Sequence, residues 1–261
     1  MFNIAVYLMG GFGNQLFQYF HAIKLQEEGY RVCLLGDWFI KTKPSVTARE
    51  LEIHKLPNFE IPIILASDLI EQGYTLAPFK SEVQNEKLVQ YKYDYFQNAS
   101  EMPSAEWLQN FYTLLPINPK FIGLTTMHIR LGDYIKLGWN LPVQYYENIF
   151  LNNPEATFVI FCENQVETRF YLRMVNSKNY IFADMVDPDI GNDVLSDFFA
   201  MSSSKIIFGS NSTFSYLSGL AVGFRGGIAH TPTSHYWEWF DKERLTTGKS
   251  LFDYKFITMI N

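Results

Sequence analysis

Residues 6–20 read VYLMGGFGNQLFQYF: an apolar run meets glycines at 10, 11 and 13 and continues into a helical pattern. A strand that turns on glycines into a helix is a common cradle for an anion, because the amide N–H groups of the turn and the positive end of the helix both face it. Working outward, Phe2–Leu8 reads as a buried strand. Asn14–Glu28 reads as a helix with Leu16, Phe20 and Ile23 on one face and Gly29 as its stop. Arg31–Leu35 reads as a second strand, so the chain opens on a β-α-β unit.

From Thr125 onward the alternation is regular. Strands are predicted over Thr125–Ile129, Thr157–Phe161, Tyr180–Ala183 and Lys205–Phe208, with helices near 142–152, 165–176 and 192–203 and another after Ser212. Asn192 is the expected N-cap of the third of these, and Pro142 suits a first helical turn. Residues 41–118 are less regular, rich in Pro, Asn and aromatics. Pro116 and Pro119 mark the expected boundary between an N-terminal lobe, 1–118, and a C-terminal lobe, 119–261. Alternating β and α elements imply parallel sheet with helices on its faces. The expectation is therefore an α/β fold of two Rossmann-like lobes facing a central cleft, with ligands at the carboxyl ends of the strands.

Composition removes several classes of function. The chain has 261 residues, 48% hydrophobic and 18% charged, the balance of an ordinary globular protein. Its 21 Lys and Arg against 27 Asp and Glu argue against a nucleic-acid binder, and no basic run marks a membrane-surface helix. No apolar stretch reaches the length of a membrane span, and the N-terminus reads as a strand rather than a charged leader. Cys33 and Cys162 lie in apolar strand-like runs, so reduced thiols and a cytoplasmic protein are expected, with association at the inner face of the membrane left open.

Three stretches carry chemistry. Gly11-Phe-Gly13-Asn-Gln-Leu16 begins a dinucleotide fingerprint and fails it at Leu16, and no Gly-Lys-Ser/Thr of a phosphate loop follows. The glycines alone are equally explained by a tight connection. Asn14-Gln15 adds two amides, donor and acceptor both, at the helix start. In Thr126-Met-His128-Ile-Arg130-Leu-Gly-Asp133-Tyr134, alternation puts His128 and Arg130 on one face of a strand end. Two such groups together are costly unless an anion meets them, and a guanidinium grips phosphate through paired hydrogen bonds. The plainer alternative is an Arg130–Asp133 ion pair beside a satisfied core histidine. In Ile206-Ile-Phe-Gly-Ser210-Asn211-Ser212-Thr213-Phe214-Ser215, a strand again runs into a polar helix start, which is either a third anion site or ordinary capping.

GGFGNQLFQYF, HIRLGDY, LPVQYYENIF and IIFGSNSTFSYLSGLAV, in that order, resemble the bacterial α-1,2-fucosyltransferases of glycosyltransferase family 11 over residues 8 to about 224. Tyr93-Asp-Tyr-Phe-Gln-Asn98 is a weaker echo of a tyrosine- and glutamine-rich segment of that family. Where the family has Ser-Asp-Asp after a strand, this chain has Cys162-Glu163-Asn164, and it is somewhat shorter. The resemblance implies a two-lobed GT-B enzyme that transfers fucose from GDP-fucose with inversion to a galactoside-terminated glycan, requiring no metal or other cofactor. It places Gly11, Gly13, Asn14 and Gln15 at the donor, Asn14 near the fucose and pyrophosphate. His128 and Arg130 would flank the β-phosphate, and Asp133, counted with them as catalytic, could orient either side chain or cap the turn at Gly132. Asn211, Ser212, Thr213 and Phe214 would line the phosphate and nucleoside, and Glu163 would replace an aspartate that reads guanine.

Several alternatives stay open at this level. The general base is one of Asp133, His128, His21 and Asp94, or a departing phosphate oxygen. Asp187-Pro-Asp189 spells the D-x-D of metal-dependent transferases, but its place before a helix favours turn chemistry. Tyr91, Tyr93, Tyr95, Phe96, Trp107 and Trp139 suit sugar stacking, although each one singly reads better as core. Rival functions are a transferase with another nucleotide-sugar donor, a nicotinamide oxidoreductase and a non-catalytic nucleotide-sugar binder.

Overall fold

The apolar runs and the glycine, proline and asparagine punctuation resolve into eleven strands and nine helices among the described residues of the computed structural model. It describes residues 2–41, 49–79, 87–176, 179–233, 236–237, 242, 247 and 249–260. The chain divides into two compact units: Met1–Leu108 with Lys242–Lys249, and Gln109–Asp241 with Ser250–Asn261.

The first unit is built on β1 (Ile4–Tyr7), β2 (Val32–Leu35), β3 (Ile63–Ile64), β4 (Thr75–Pro78) and β5 (Leu88–Lys92), in the order β3-β2-β1-β5-β4 and parallel throughout. β1 and β2 are buried on both faces, which is why they read as continuous apolar runs. Between them α1 (Phe12–Glu27) ends as expected on Gly29, which takes a φ of +91° while Tyr30 N–H bonds back to Leu25 O. The expectation of one buried face is corrected, because Gln15, Gln18 and His21 are fully buried too. Segments 50–53 and 94–101 wrap the helix and bond to those three polar side chains, and helical periodicity carries no trace of such neighbours. Short α2 (Asp37–Lys41) and α3 (Ala66–Glu71) complete the unit.

The second unit begins in α4 (Ala105–Leu114), within which the division falls. Its strands are β6 (Thr125–Ile129), β7 (Phe158–Cys162), β8 (Tyr180–Phe182), β9 (Ile206–Phe208), β10 (Ile228–Pro232) and β11 (Ile257–Ile260), with sheet order β11-β10-β9-β6-β7-β8. All pairs are parallel. Numbered within the unit this is 6-5-4-1-2-3, the doubly wound order in which the chain reverses direction between β6 and β9. The helices are α5 (Asp133–Leu137), α6 (Val143–Asn152), α7 (Gln165–Tyr171), α8 (Val194–Ser202) and α9 (Thr213–Phe224). Pleat alternation splits the core in two. Met127, Ile129, Phe158 and Ile160 pack with Tyr145, Tyr146, Ile149 and Phe150 of α6, while Val159, Phe161 and Ile207 pack with Ala200, Met201 and Val222 of α8 and α9.

Two cap expectations are corrected. Asp193, not Asn192, caps α8, because its carboxylate accepts from Ser196 N–H, and Pro142 is the cap residue of α6 rather than part of its first turn. The segment with Pro116 and Pro119 lies inside the second unit. Arg225, at the end of α9, donates to the carbonyls of Tyr112 (3.1 Å), Leu115 (2.5 Å) and Ser202 (3.1 Å), and the Tyr112 ring stacks on Phe224 at 5.4 Å. Both cysteines are free thiols, and burial pushes Cys33 up to about 12 and Cys162 up to about 11. Among the described residues no helix is long and apolar enough to cross a membrane.

Candidate functional site

Because β6 and β9 are neighbours where the sheet reverses, the residues after each strand share one edge. The pleat turns Met127 and Ile129 toward α6 and leaves Thr126 and His128 on the face of α8 and α9. His128 Nδ1 lies 2.8 Å from Ser210 Oγ, in the turn between β9 and α9, and its ring tilts against Phe214 at 5.8 Å. The Ser215 hydroxyl braces that turn by donating to Ser210 O at 2.9 Å. His128 is only 8% exposed. Burial, with a second push from the Arg130 charge, lowers its pKa from the ordinary 6.5 to about 3, so the imidazole is neutral at physiological pH. Its Nε2 carries no protein hydrogen bond among the described residues.

Arg130 follows β6 and is held between two carboxylates. Its Nη2 lies 2.6 Å from Asp133 Oδ1 and its Nη1 lies 3.0 Å from Glu163 Oε2, with the Tyr134 ring 5.2 Å from Cζ. Glu163 arrives here because β7 pairs with β6 and ends beside it. Gly132 makes room for it. This residue sits at φ +54° and ψ −113°, a conformation L side chains avoid, and a Cβ there would lie 3.0 Å from Glu163 Oε2. The plainer sequence alternative, an Arg130–Asp133 ion pair beside a hydrogen-bonded histidine, is thus present in the structure. The guanidinium still has N–H groups beyond the two in those pairs.

Asn211, Ser212, Thr213 and Phe214 open α9. The twelve-residue helix has no acid in its first turn, and the Ser212 side chain does not cap it, so its partial positive charge is uncompensated by a carboxylate. Asn211 is committed locally: Nδ2 donates to Trp139 O (2.8 Å) and Tyr236 O (3.3 Å). His128, Arg130, Asp133, Glu163 and the 210–214 turn therefore converge at one edge of the second unit. A neutral imidazole, a guanidinium and a helix N-terminus in one place can hold an anion that carries other hydrogen-bonding groups.

Gly11, Gly13, Asn14 and Gln15 lie in the first unit, after β1. Gly10, which the sequence places in the turn without a role at the donor, is the residue whose φ of +75° needs a glycine; Gly11 is extended at φ −75°. Asn14 Oδ1 accepts from Gln97 Nε2 at 2.9 Å. Gln15 is fully buried, and both ends of its amide are used. Nε2 donates to Gly10 O and Glu50 O, and Oε1 accepts from Glu52 and Ile53 N–H, so the side chain braces segment 50–53. Sequence reading also missed Ser210 and Gln97, although both lie in stretches it quoted.

Asp187 accepts from Asn118 Nδ2 and Lys120 Nζ, both at 2.8 Å, and from Asp189 N–H at 3.4 Å. Its carboxylate is thereby occupied by turn and ion-pair partners. Among the described residues no group of three or more His, Cys, Asp or Glu side chains is placed to hold a metal ion.

No family model matches the chain. It is 25% identical to the O-antigen biosynthesis glycosyltransferase WbnK of Escherichia coli over an alignment of 302 positions, covering 92% of this chain and 96% of that protein. Among solved structures, the fucosyltransferase NodZ from Bradyrhizobium superposes with a TM-score of 0.47 at 10% identity, over 85% of this chain and 94% of that one. A glycosyltransferase of family 9 from Veillonella parvula does so with a TM-score of 0.42 at 9% identity, over 88% and 80%.

Proposed function

We propose that the chain is a glycosyltransferase that moves L-fucose from GDP-fucose, with inversion, onto the 2-hydroxyl of a terminal galactoside, forming an α-1,2 linkage without a metal. The transferase class is supported by a curated relative of that class along nearly the full length of both chains. The donor is supported by the family resemblance of the motifs around His128 and Asn211. One observation carries the reading: at the point where the sheet reverses, the motif residue His128 meets the 210–214 turn while Arg130, two residues on, meets Glu163.

Glycosyl transfer passes through an oxocarbenium-like transition state while negative charge builds on the departing GDP. Arg130 and the start of α9 supply positive potential that needs no reorganisation as that charge grows. In this reading the diphosphate takes one of the two places now held by carboxylates on Arg130, and Asp133 keeps the guanidinium oriented. Glu163 is the exchangeable partner, being half exposed and just past the end of the neighbouring strand β7, where it either reads the base or yields to phosphate. In this reading His128 Nε2–H donates to a diphosphate oxygen, with Nδ1 accepting from the Ser210 hydroxyl. Ser212, Thr213 and Phe214 line the phosphate and nucleoside. Asn14 and the turn at Gly11 and Gly13 are assigned to the donor sugar, with Gln15 holding that turn.

The test is incubation of the protein with GDP-fucose and lactose in excess EDTA, following GDP release and product mass. A fucosylated lactose formed under chelation is the expected result. GDP binding without product would overturn the donor and acceptor assignments and keep the nucleotide site, whereas absence of GDP binding would overturn the site itself.

A further inference from the structure

We propose that Tyr93, Asp94 and Tyr95 form a saccharide-binding platform on the first unit, taking a neutral pyranose ring. Its role as the acceptor platform rests on the transferase reading above; the binding itself does not.

The three residues leave β5, which pairs with β1 through Ile4↔Gln90 and Val6↔Lys92. They therefore emerge at the carboxyl edge of the sheet beside the glycine turn, where the order β3-β2-β1-β5-β4 reverses. Tyr93 is 59% exposed and Tyr95 41%, and Asp94 between them is exposed, whereas the next two residues, Phe96 and Gln97, are buried. Two aromatic rings open to solvent on one segment give an apolar surface that a ligand can cover.

Slack does not account for the exposure, since the segment is pinned along its length. Gln18 Nε2 donates to Asp94 O (3.3 Å), while the same amide accepts from Met9 N–H (2.9 Å). Asp94 Oδ1 accepts from Tyr95 N–H at 2.7 Å. Phe96 takes φ +53°, rare for an aromatic, and stacks on His21 at 3.9 Å with 7° between the rings. Gln97 then bonds to Asn14. His21 is itself fixed, with Nδ1 2.6 Å from Glu101 Oε2 and Nε2 3.1 Å from Lys92 Nζ. One tautomer satisfies both contacts: Nδ1–H faces the carboxylate and Nε2 accepts from the ammonium. Each exposed ring is also seated from behind. Tyr7 meets Tyr93 edge-on at 5.3 Å, and the Tyr95 ring lies where a Cβ on Gly10 would come within 3.3 Å of it.

Held rings have little freedom left to lose on binding. Their apolar faces suit the C–H face of a pyranose, and the phenol and carboxylate oxygens suit its hydroxyls. The Asp94 charge repels a phosphate or carboxylate and accepts from a polyol, which favours a neutral sugar over a nucleotide.

The test is a titration of the full chain with methyl β-galactoside and with lactose, read by saturation-transfer NMR, alongside a GDP titration. Saturable binding of lactose to the wild type is expected. Tyr93→Ala and Tyr95→Ala should each raise the lactose Kd about tenfold, the loss of roughly one stacking contact, with GDP affinity unchanged. Tyr93→Phe, which keeps the ring and loses only the phenol oxygen, should bind lactose more tightly than Tyr93→Ala. In turnover, the alanine variants should raise KM for lactose and leave kcat nearly intact. Failure of both saccharides to saturate the wild type, or unchanged affinity in the alanine variants, would overturn the platform. Lactose binding without any GDP binding would sink the transferase reading and leave the platform standing.

Discussion

A protonation balance at His128 tests the geometry of the candidate site without any ligand. Burial and the Arg130 charge hold this imidazole near a pKa of about 3, against about 6.5 in the unfolded chain. Between those values the unfolded state binds more protons than the folded one, so stability rises with pH across that window and is lost as pH falls through it. Carried over the whole window, the difference of about 3.5 units is worth roughly 5 kcal/mol. At pH 5.0 the unfolded state has already gained about 1.5 units' worth of protonation, a loss of about 2 kcal/mol relative to pH 7.5. Other groups titrate in the same range. Burial lowers His21 and His230 too, while Asp197, raised to about 6 by burial, acts in the opposite sense because its folded form holds the proton more tightly. Comparison with His128→Asn removes these contributions, along with any cavity cost common to both pH values. Asparagine keeps a polar atom for Ser210 and does not titrate. Urea unfolding of both proteins at pH 7.5 and 5.0 should show the wild type losing about 2 kcal/mol more than the variant on acidification. A difference below about 0.5 kcal/mol would mean His128 is not a buried neutral group, and the site described above would be wrong at its centre.

Three further outcomes follow from the same geometry. Arg225→Ala should lower stability by about 2–4 kcal/mol in urea, since four carbonyls (those of Tyr112, Leu115, Pro116 and Ser202) lose a charged donor, and Arg225→Lys should recover only part of it because an ammonium lacks the planar fork. Gly132→Ala should cost about 1–3 kcal/mol in a urea titration, as the backbone would be strained at this φ and ψ and Glu163 must shift. Arg130→Ala should reduce turnover of GDP-fucose by about a thousandfold while moving the urea midpoint little, because its ion pairs are partly solvated. Near-wild-type turnover in that variant would refute the assignment.

Much of the second unit was legible because its signals are local. β6, β7, β8 and β9 lie within a residue of the expected runs, since each is a short stretch dense in β-branched and aromatic residues bounded by turn signals. The first unit beyond β2 was much less so. β3 has two residues and β4 four, too short for a period to register, and β5 shows no clean alternation. Buried Gln15, Gln18 and His21 looked like the polar side of an amphipathic helix because their partners come from distant segments.

The sequence by itself determined the strand–glycine–helix opening, the alternating βα pattern, and the presence of His128, Arg130 and the 210–214 turn at strand ends. Side-chain period and turn chemistry act over a few residues, and the chain carries them openly. Only the tertiary structure decided that Ser210, 82 positions away, would bond His128, and that Glu163 would share Arg130 with Asp133. It also decided that 93–97 would fold back on α1. Those pairings follow from strand order and burial, which make a neutral imidazole and a shared guanidinium the low-energy states. Neither property is written in the local pattern of residues around them.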